Sequence, residues 1–166
     1  MIAIVIDAVR PSPTYLVFVT PSTAMYDLTL GLVVGGVAIL VTEALERLSS
    51  SARALGRTLA QLLGALGPQQ VFWYAFCSSV GEEMLFRGAL QPSLGLVATS
   101  VLFGAIHGFF SRQLWFWSLL ATLMGFVFGW LMEHTGSLCA PIVAHFTINL
   151  VNLTIIVRRY VPKERV

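Results

Sequence analysis

Residues 69–90 read QQVFWYAFCSSVGEEMLFRGAL. The run has the length of a membrane-crossing helix, about 20 residues, yet it holds Glu82, Glu83 and Arg87. An ionisable side chain inside a span costs about 2.5–3.5 kcal/mol on insertion scales and turns toward the interior of a helix bundle. Glu83 and Arg87 are four apart, on one helical face, and can neutralise each other. Glu82 is rotated about 100° from Glu83 and has no such partner. A buried ion pair that fixes helix packing accounts for Glu83 and Arg87 but not for Glu82. A desolvated carboxyl without its own cation is suited to act as a base or an acid.

The rest of the chain has the composition of a membrane protein. Of its 166 residues 57% are hydrophobic and only 11% are charged, against about 25% charged in soluble domains. Mean hydropathy is +0.82. This excludes a disordered chain, a nucleic-acid binder and an ordinary soluble enzyme, and the length suits one domain. Further spans are expected over residues 24–41, 94–110, 114–132 and 138–157. The expected fold is all-α, a polytopic transmembrane helical bundle of about five spans. Over residues 52–66, Leu55, Leu59, Leu62, Leu63 and Leu66 fall on one face with Arg53, Arg57 and Gln61 opposite, a basic amphipathic interfacial helix. Residues 1–23 carry two short apolar runs split by Pro11 and Pro13 and are expected to be interfacial or re-entrant. Asp7 and the lack of a basic start argue against a signal peptide. Residues 24–166 are expected to form a single membrane-embedded domain, with the chemistry between 81 and 149.

Arg47, Arg53 and Arg57 follow the first span, Arg112 follows the third, and Arg158, Arg159, Lys163 and Arg165 follow the last. The loops after the second and fourth spans hold no Lys or Arg. The positive-inside rule then predicts a multi-pass protein of the plasma (inner) membrane with its C-terminus in the cytoplasm. Cys77 and Cys139 have no metal-binding spacing and read as small buried hydrophobes. Gly31-x-x-x-Gly35 and Gly125-x-x-x-Gly129 would permit close helix contacts.

Two more spans carry polar residues at helical spacing. Phe103 and His107 share a face; so do His145, Asn149 and, one turn further, Asn152. Polar faces on three spans escape lipid most cheaply by facing one another, which makes a polar pocket. Such a set suits amide hydrolysis, with a carboxylate taking a proton from water, a histidine orienting that water, and a histidine and an asparagine donating to an oxyanion. Equally, Glu82, His107 and His145 could hold Zn²⁺ with one position left for water. Ser78 and Ser79 stand near Glu82, but without a G-x-S-x-G elbow. Counted along straight helices, Glu82 and His145 lie roughly 12 and 10 Å below the outer ends of their spans, and His107 roughly 20 Å below its own.

The motifs E-E-x-x-x-R (Glu82, Glu83, Arg87), F-x-x-x-H (Phe103, His107) and H-x-x-x-N (His145, Asn149), in this order on separate spans, resemble the CAAX-protease and bacteriocin-processing (CPBP, or Abi) family of intramembrane endopeptidases. The resemblance covers a little under half of the chain. It implies that Glu82 activates water, that His107 works beside it, and that His145 and Asn149 form an oxyanion hole. Glu83, Arg87 and Phe103 would support the site. It further implies a glutamate-dependent mechanism with no metal and no other cofactor, zinc on Glu82, His107 and His145 being the alternative. The implied partners are the lipid bilayer and a membrane-associated peptide or protein substrate, as in CAAX-type processing, bacteriocin maturation or self-immunity, with no nucleic acid; the chain could also form a homo-oligomer. The alternative function is a non-catalytic membrane peptide-binding or immunity protein that uses the same pocket. A transporter or proton relay would need an inverted repeat, which is not visible.

Overall fold

A computed structural model describes residues 23–108 and 111–162. Apart from Thr23, the segment expected over 1–23 lies outside the described residues, as do Lys163 and Arg165. Every regular element among the described residues is a helix: α1 (Ala24–Leu48), α2 (Ser50–Leu63), α3 (Pro68–Glu83), a π-helical segment (Met84–Leu90), α4 (Gln91–Ile106), α5 (Trp115–Thr135) and α6 (Cys139–Tyr160). Four helical stretches are long and apolar enough to cross a membrane: Ala24–Leu48, Pro68–Ile106, Trp115–Thr135 and Cys139–Tyr160. The fold is a polytopic helical bundle.

Helix α6 is its axis and packs against α1, α2, α3 and α5. Against α1 the approach is closest at Gly31, where a Cβ would stand 2.7 Å from the Ala140 carbonyl oxygen, and at Gly35, where it would stand 3.0 Å from Thr147 Cβ. Gly125 and Gly129 of α5 likewise receive Ser100 and Leu96. Both G-x-x-x-G pairs therefore serve contacts inside the fold. The remaining faces of α1 expose Leu32, Val33, Val37, Leu40 and Val41, as a helix on the outside of a bundle does when its solvent is lipid.

The stretch Pro68–Ile106 is not one rod. At Gly95 (φ 77°, ψ 167°) the backbone enters a region that glycine alone adopts freely, and the chain reverses. Before the turn, Arg87 Nη2 donates to the Gly125 carbonyl and Gln91 Nε2 to the Gly129 carbonyl, so this arm runs along α5 in the same direction. After the turn, Leu96 meets Gly129, Ser100 meets Gly125, and Gly104 meets Ser118 and Thr122, so the second arm runs back. That second arm, 96–106, is only about 16 Å long, half of a hydrocarbon core of about 30 Å. The third span expected over 94–110 is corrected accordingly to a half-length arm. Its tight packing on α5 through small residues lets it stop mid-bundle.

The reversals sort the molecule into two ends. One holds the start of α1, the Gly95 turn and the α5–α6 connection. There Ser137 Oγ donates to the buried Asp27 carboxylate at 2.6 Å, and the Gln91 side chain reaches Glu133 at 3.1 Å. The other end holds α2, the start of α5 and the end of α6. Apart from Arg87, every arginine among the described residues lies at this second end. Helix α2 starts on Ser49, whose Oγ accepts from the Ala52 N–H. It packs Ala60 and Leu63 against Val157, Val161 and Tyr160. Leu62 departs from the amphipathic reading: it is 67% exposed, because α6 crosses α2 along the Gly56–Ala60 strip, where Tyr160 lies against Gly56. Arg159 and Tyr160 then bind Glu43 and Glu46 at the end of α1.

Candidate active site

The E-E-x-x-x-R motif straddles the junction of α3 with the π-helical segment. The segment's wider turn is closed by the Gln91 N–H bonding back to the Phe86 carbonyl, and single π-turns are frequent at functional sites. It buries Phe86, Arg87, Gly88 and Ala89 in succession. Arg87 and Glu83 are fully buried, with Arg87 Nε 3.2 Å from Glu83 Oε2. Arg87 also donates to the Gly125 carbonyl at 3.0 Å and lies over the Phe103 ring, 4.4 Å from its centroid. Phe103 thus supports the cation with its π face, and the Phe128 ring adds a second contact at 5.4 Å.

Glu83 has a second partner, His145 Nδ1 at 2.8 Å. A carboxylate paired with arginine only accepts, so Nδ1 carries the hydrogen and Nε2 points away from Glu83. His107 repeats the pattern: its Nδ1 donates to the Phe103 carbonyl at 2.7 Å. Both free Nε2 atoms face one point. His107 Nε2 stands 3.7 Å and His145 Nε2 3.9 Å from Glu82 Oε2, and this oxygen is buried with no hydrogen-bond partner. Aromatic rings fix the imidazoles. Phe128 stacks on His145 at 4.8 Å, and Trp117 meets His107 edge-on at 5.1 Å.

Three acceptor atoms thus surround a gap slightly too wide for direct hydrogen bonds. Among the described residues no group of three His, Cys, Asp or Glu side chains is arranged to hold a metal ion.

The unequal depths counted along straight helices are corrected here. The first arm continues past Leu90 to the Gly95 turn, so Glu82 lies about a dozen residues before the turn and His107 about a dozen after it, at one level. The half-length of the second arm is what brings His107 beside Glu82.

Asn149 joins from α6, its Nδ2 donating to Ser78 Oγ at 3.0 Å. Ser78 lies one turn before Glu82 on the same face, a spacing visible in the sequence although its role as partner of Asn149 was not. Ser79 is buried and turned away, bonded to the Ala75 carbonyl. These groups open onto a cavity of about 400 Å³ lined by Glu82, His107, His145 and Asn149 and walled by apolar side chains, among them Leu55 and Leu59 of α2, Trp117 and Met124. It runs from the histidines toward the arginine-rich end, with α2 as one wall.

Comparison with known proteins gives a family for the chain. Residues 65–151, slightly more than half of the chain, match the family model described as type II CAAX prenyl endopeptidase Rce1-like. The chain belongs to this family. Over 70 residues it is 43% identical to the uncharacterized protein YpbD of Bacillus subtilis (strain 168), a match that covers 42% of this chain and 36% of that protein. The chain thus spans about a third of the length of this curated relative. No solved structure matches. The matched region contains all three motifs, the π-helical segment and the Gly95 reversal, and so carries most of the cavity's polar wall.

Proposed function

We propose that the chain is an intramembrane endopeptidase that hydrolyses a peptide bond in a membrane-associated protein or peptide, with Glu82 activating the attacking water. One observation carries this reading: Glu82 Oε2 is buried, unpartnered and flanked by two imidazole Nε2 atoms at 3.7 and 3.9 Å. A water held there gives a proton to Glu82 as its oxygen bonds to the substrate carbonyl carbon. The proton then passes to the leaving amine as the C–N bond breaks. His107, anchored on Phe103, orients the water. Asn149 uses one N–H on Ser78 and keeps the other for the oxyanion. His145 donates from Nε2 only when both its ring nitrogens carry hydrogen, so its share of the oxyanion hole belongs to that form. Glu83 and Arg87 hold His145 in place. No metal and no other cofactor takes part.

The arginine-rich end lies on the cytoplasmic side of the plasma membrane, so the cavity opens toward that leaflet. Membrane-associated CAAX-type sequences, or peptides processed in bacteriocin maturation and self-immunity, are the substrate classes of this reading.

The test uses purified protein in lipid nanodiscs with a set of membrane-anchored, quenched-fluorescent peptides, comparing wild type with Glu82→Ala, with and without chelator. Cleavage by wild type that is lost in a folded Glu82→Ala protein supports the reading. Cleavage that survives in Glu82→Ala overturns it. Chelator-sensitive cleavage replaces it with zinc on Glu82, His107 and His145. Peptide binding that is equal in both proteins, with no cleavage in either, replaces it with a non-catalytic peptide-binding protein.

A further inference from the structure

Asn152 lies on α6 one turn beyond Asn149, on the wall of the same cavity. It belongs to none of the three motifs and falls just outside the residues that match the family. The same cavity is lined by Thr42 of α1, Leu55 and Leu59 of α2, and Leu153 and Ile156 of α6. The simplest account of an asparagine here is a tie between α1 and α6. The geometry does not support a strong tie. Thr42 Oγ1 is 3.4 Å from Asn152 Oδ1, and the same hydroxyl makes a shorter bond of 2.9 Å to the Ile39 carbonyl. A hydroxyl has one hydrogen, so the shorter bond to the backbone carbonyl leaves Asn152 Oδ1 only a weak share of it. Among the described residues Asn152 Nδ2 has no hydrogen-bond partner. A carboxamide is thus held half-buried in a mostly apolar cavity, its Nδ2 without a partner and its Oδ1 held only by the long contact from Thr42.

A carboxamide offers one acceptor and two donors, which complements the C=O and N–H of a single peptide unit. Side chains three apart on a helix are about 5–6 Å apart, and an extended chain advances about 3.3–3.6 Å per residue. A carbonyl held at Asn149 therefore places a peptide unit one or two residues away at Asn152. We infer that Asn152, with Thr42 behind it, is a main-chain subsite that grips the substrate peptide one or two residues from the bond to be cleaved. This rests on the endopeptidase reading above and adds to it: the substrate enters the cavity as extended peptide along α6, its backbone on the Asn149–Asn152 strip and its apolar side chains against α2 and Trp117. A purely lipidic chain would have no use for this amide.

The test takes a fluorescein-labelled peptide from the quenched set and its analogue with an ester in place of the amide one or two residues from the cleaved bond. The ester lacks the N–H that Asn152 Oδ1 would accept and carries a poorer carbonyl acceptor. Wild type should show a KM for the ester roughly tenfold above that for the amide, with kcat little changed, as expected for one or two lost hydrogen bonds. Asn152→Leu should raise KM for the amide by a similar factor and no longer distinguish the two. Thr42→Val should show a smaller effect in the same direction and serves if Asn152→Leu is poorly folded. An ester penalty of equal size in wild type and both variants overturns the subsite while leaving the endopeptidase reading intact. Anisotropy of the labelled peptides on Glu82→Gln protein needs no cleavage. There, an ester penalty that vanishes with Asn152→Leu supports the subsite even if the hydrolytic reading has failed, and its absence overturns the subsite.

Discussion

Glu83 and its surroundings differ from the Glu82 side of the same helix in how completely their polar atoms are satisfied. Glu83 and Arg87 are wholly buried, and between them they bind His145, the Gly125 carbonyl and the face of Phe103. Glu82, the preceding residue, is 29% exposed to the cavity, and its inner oxygen faces two nitrogens without touching either. The first region is closed and rigid; the second keeps a space. A buried ion pair contributes little net stability, because desolvation offsets the attraction, but it fixes geometry when its remaining donors are used. Here the closed region holds His145 in one tautomer and so shapes the open one. The pair of adjacent carboxylates thus divides its labour by rotation about one helix axis.

Five substitutions, one of them added to another, test that division in descending order of expected effect. Glu82→Gln should lower kcat by about 10²–10⁴ while leaving thermal unfolding in detergent unchanged within about 0.5 kcal/mol. A variant that unfolds instead would show that the two regions are not separable. Arg87→Met should cost about 3–5 kcal/mol of stability by leaving Glu83 buried and unpaired, and Glu83→Leu added to it should recover part of that loss, the rest remaining because His145 Nδ1 loses its acceptor. Failure of the double variant to recover would mean that the pair does more than hold shape. Gly95→Ala places a side chain at φ 77°, ψ 167°, which costs about 1–3 kcal/mol. Because the turn sets the level of His107, kcat should fall by more than the stability change accounts for, as read by comparing turnover with unfolding midpoint. Leu62→Ser should leave turnover and stability unchanged within about 0.5 kcal/mol, since the side chain is 67% exposed and outside the packed strip of α2.

The membrane class, the helical bundle and the pairing of Glu83 with Arg87 were readable from residue types and spacing. So was the prospect that Glu82, His107 and His145 would meet, because few polar groups in an apolar chain must gather. The span ends were not readable. Gln91, Pro92 and Ser93 interrupt the apolar run and read as the end of the second span, yet the first arm continues through them as helix and turns at Gly95, one of 14 glycines. The π-helical segment leaves no trace in the pattern either, since its residues suit an ordinary helix. Ser78 was visible as a neighbour of Glu82, but its bond to Asn149 depends on how α3 and α6 cross. Thr42 gave no signal, because its place on the cavity is decided by the close approach of α1 to α6.

The sequence by itself determined that this protein lives in a bilayer, which of its groups are too costly to face lipid, and which two of them neutralise each other one turn apart. Those results follow from transfer energies and helical periodicity, both local. Only the tertiary structure decided that the third pass stops halfway, that His107 therefore meets Glu82 at one depth, and that a cavity is left between them. These depend on where helices of similar composition turn and cross, and that is set by the packing of small residues such as Gly104 and Gly125 against distant partners.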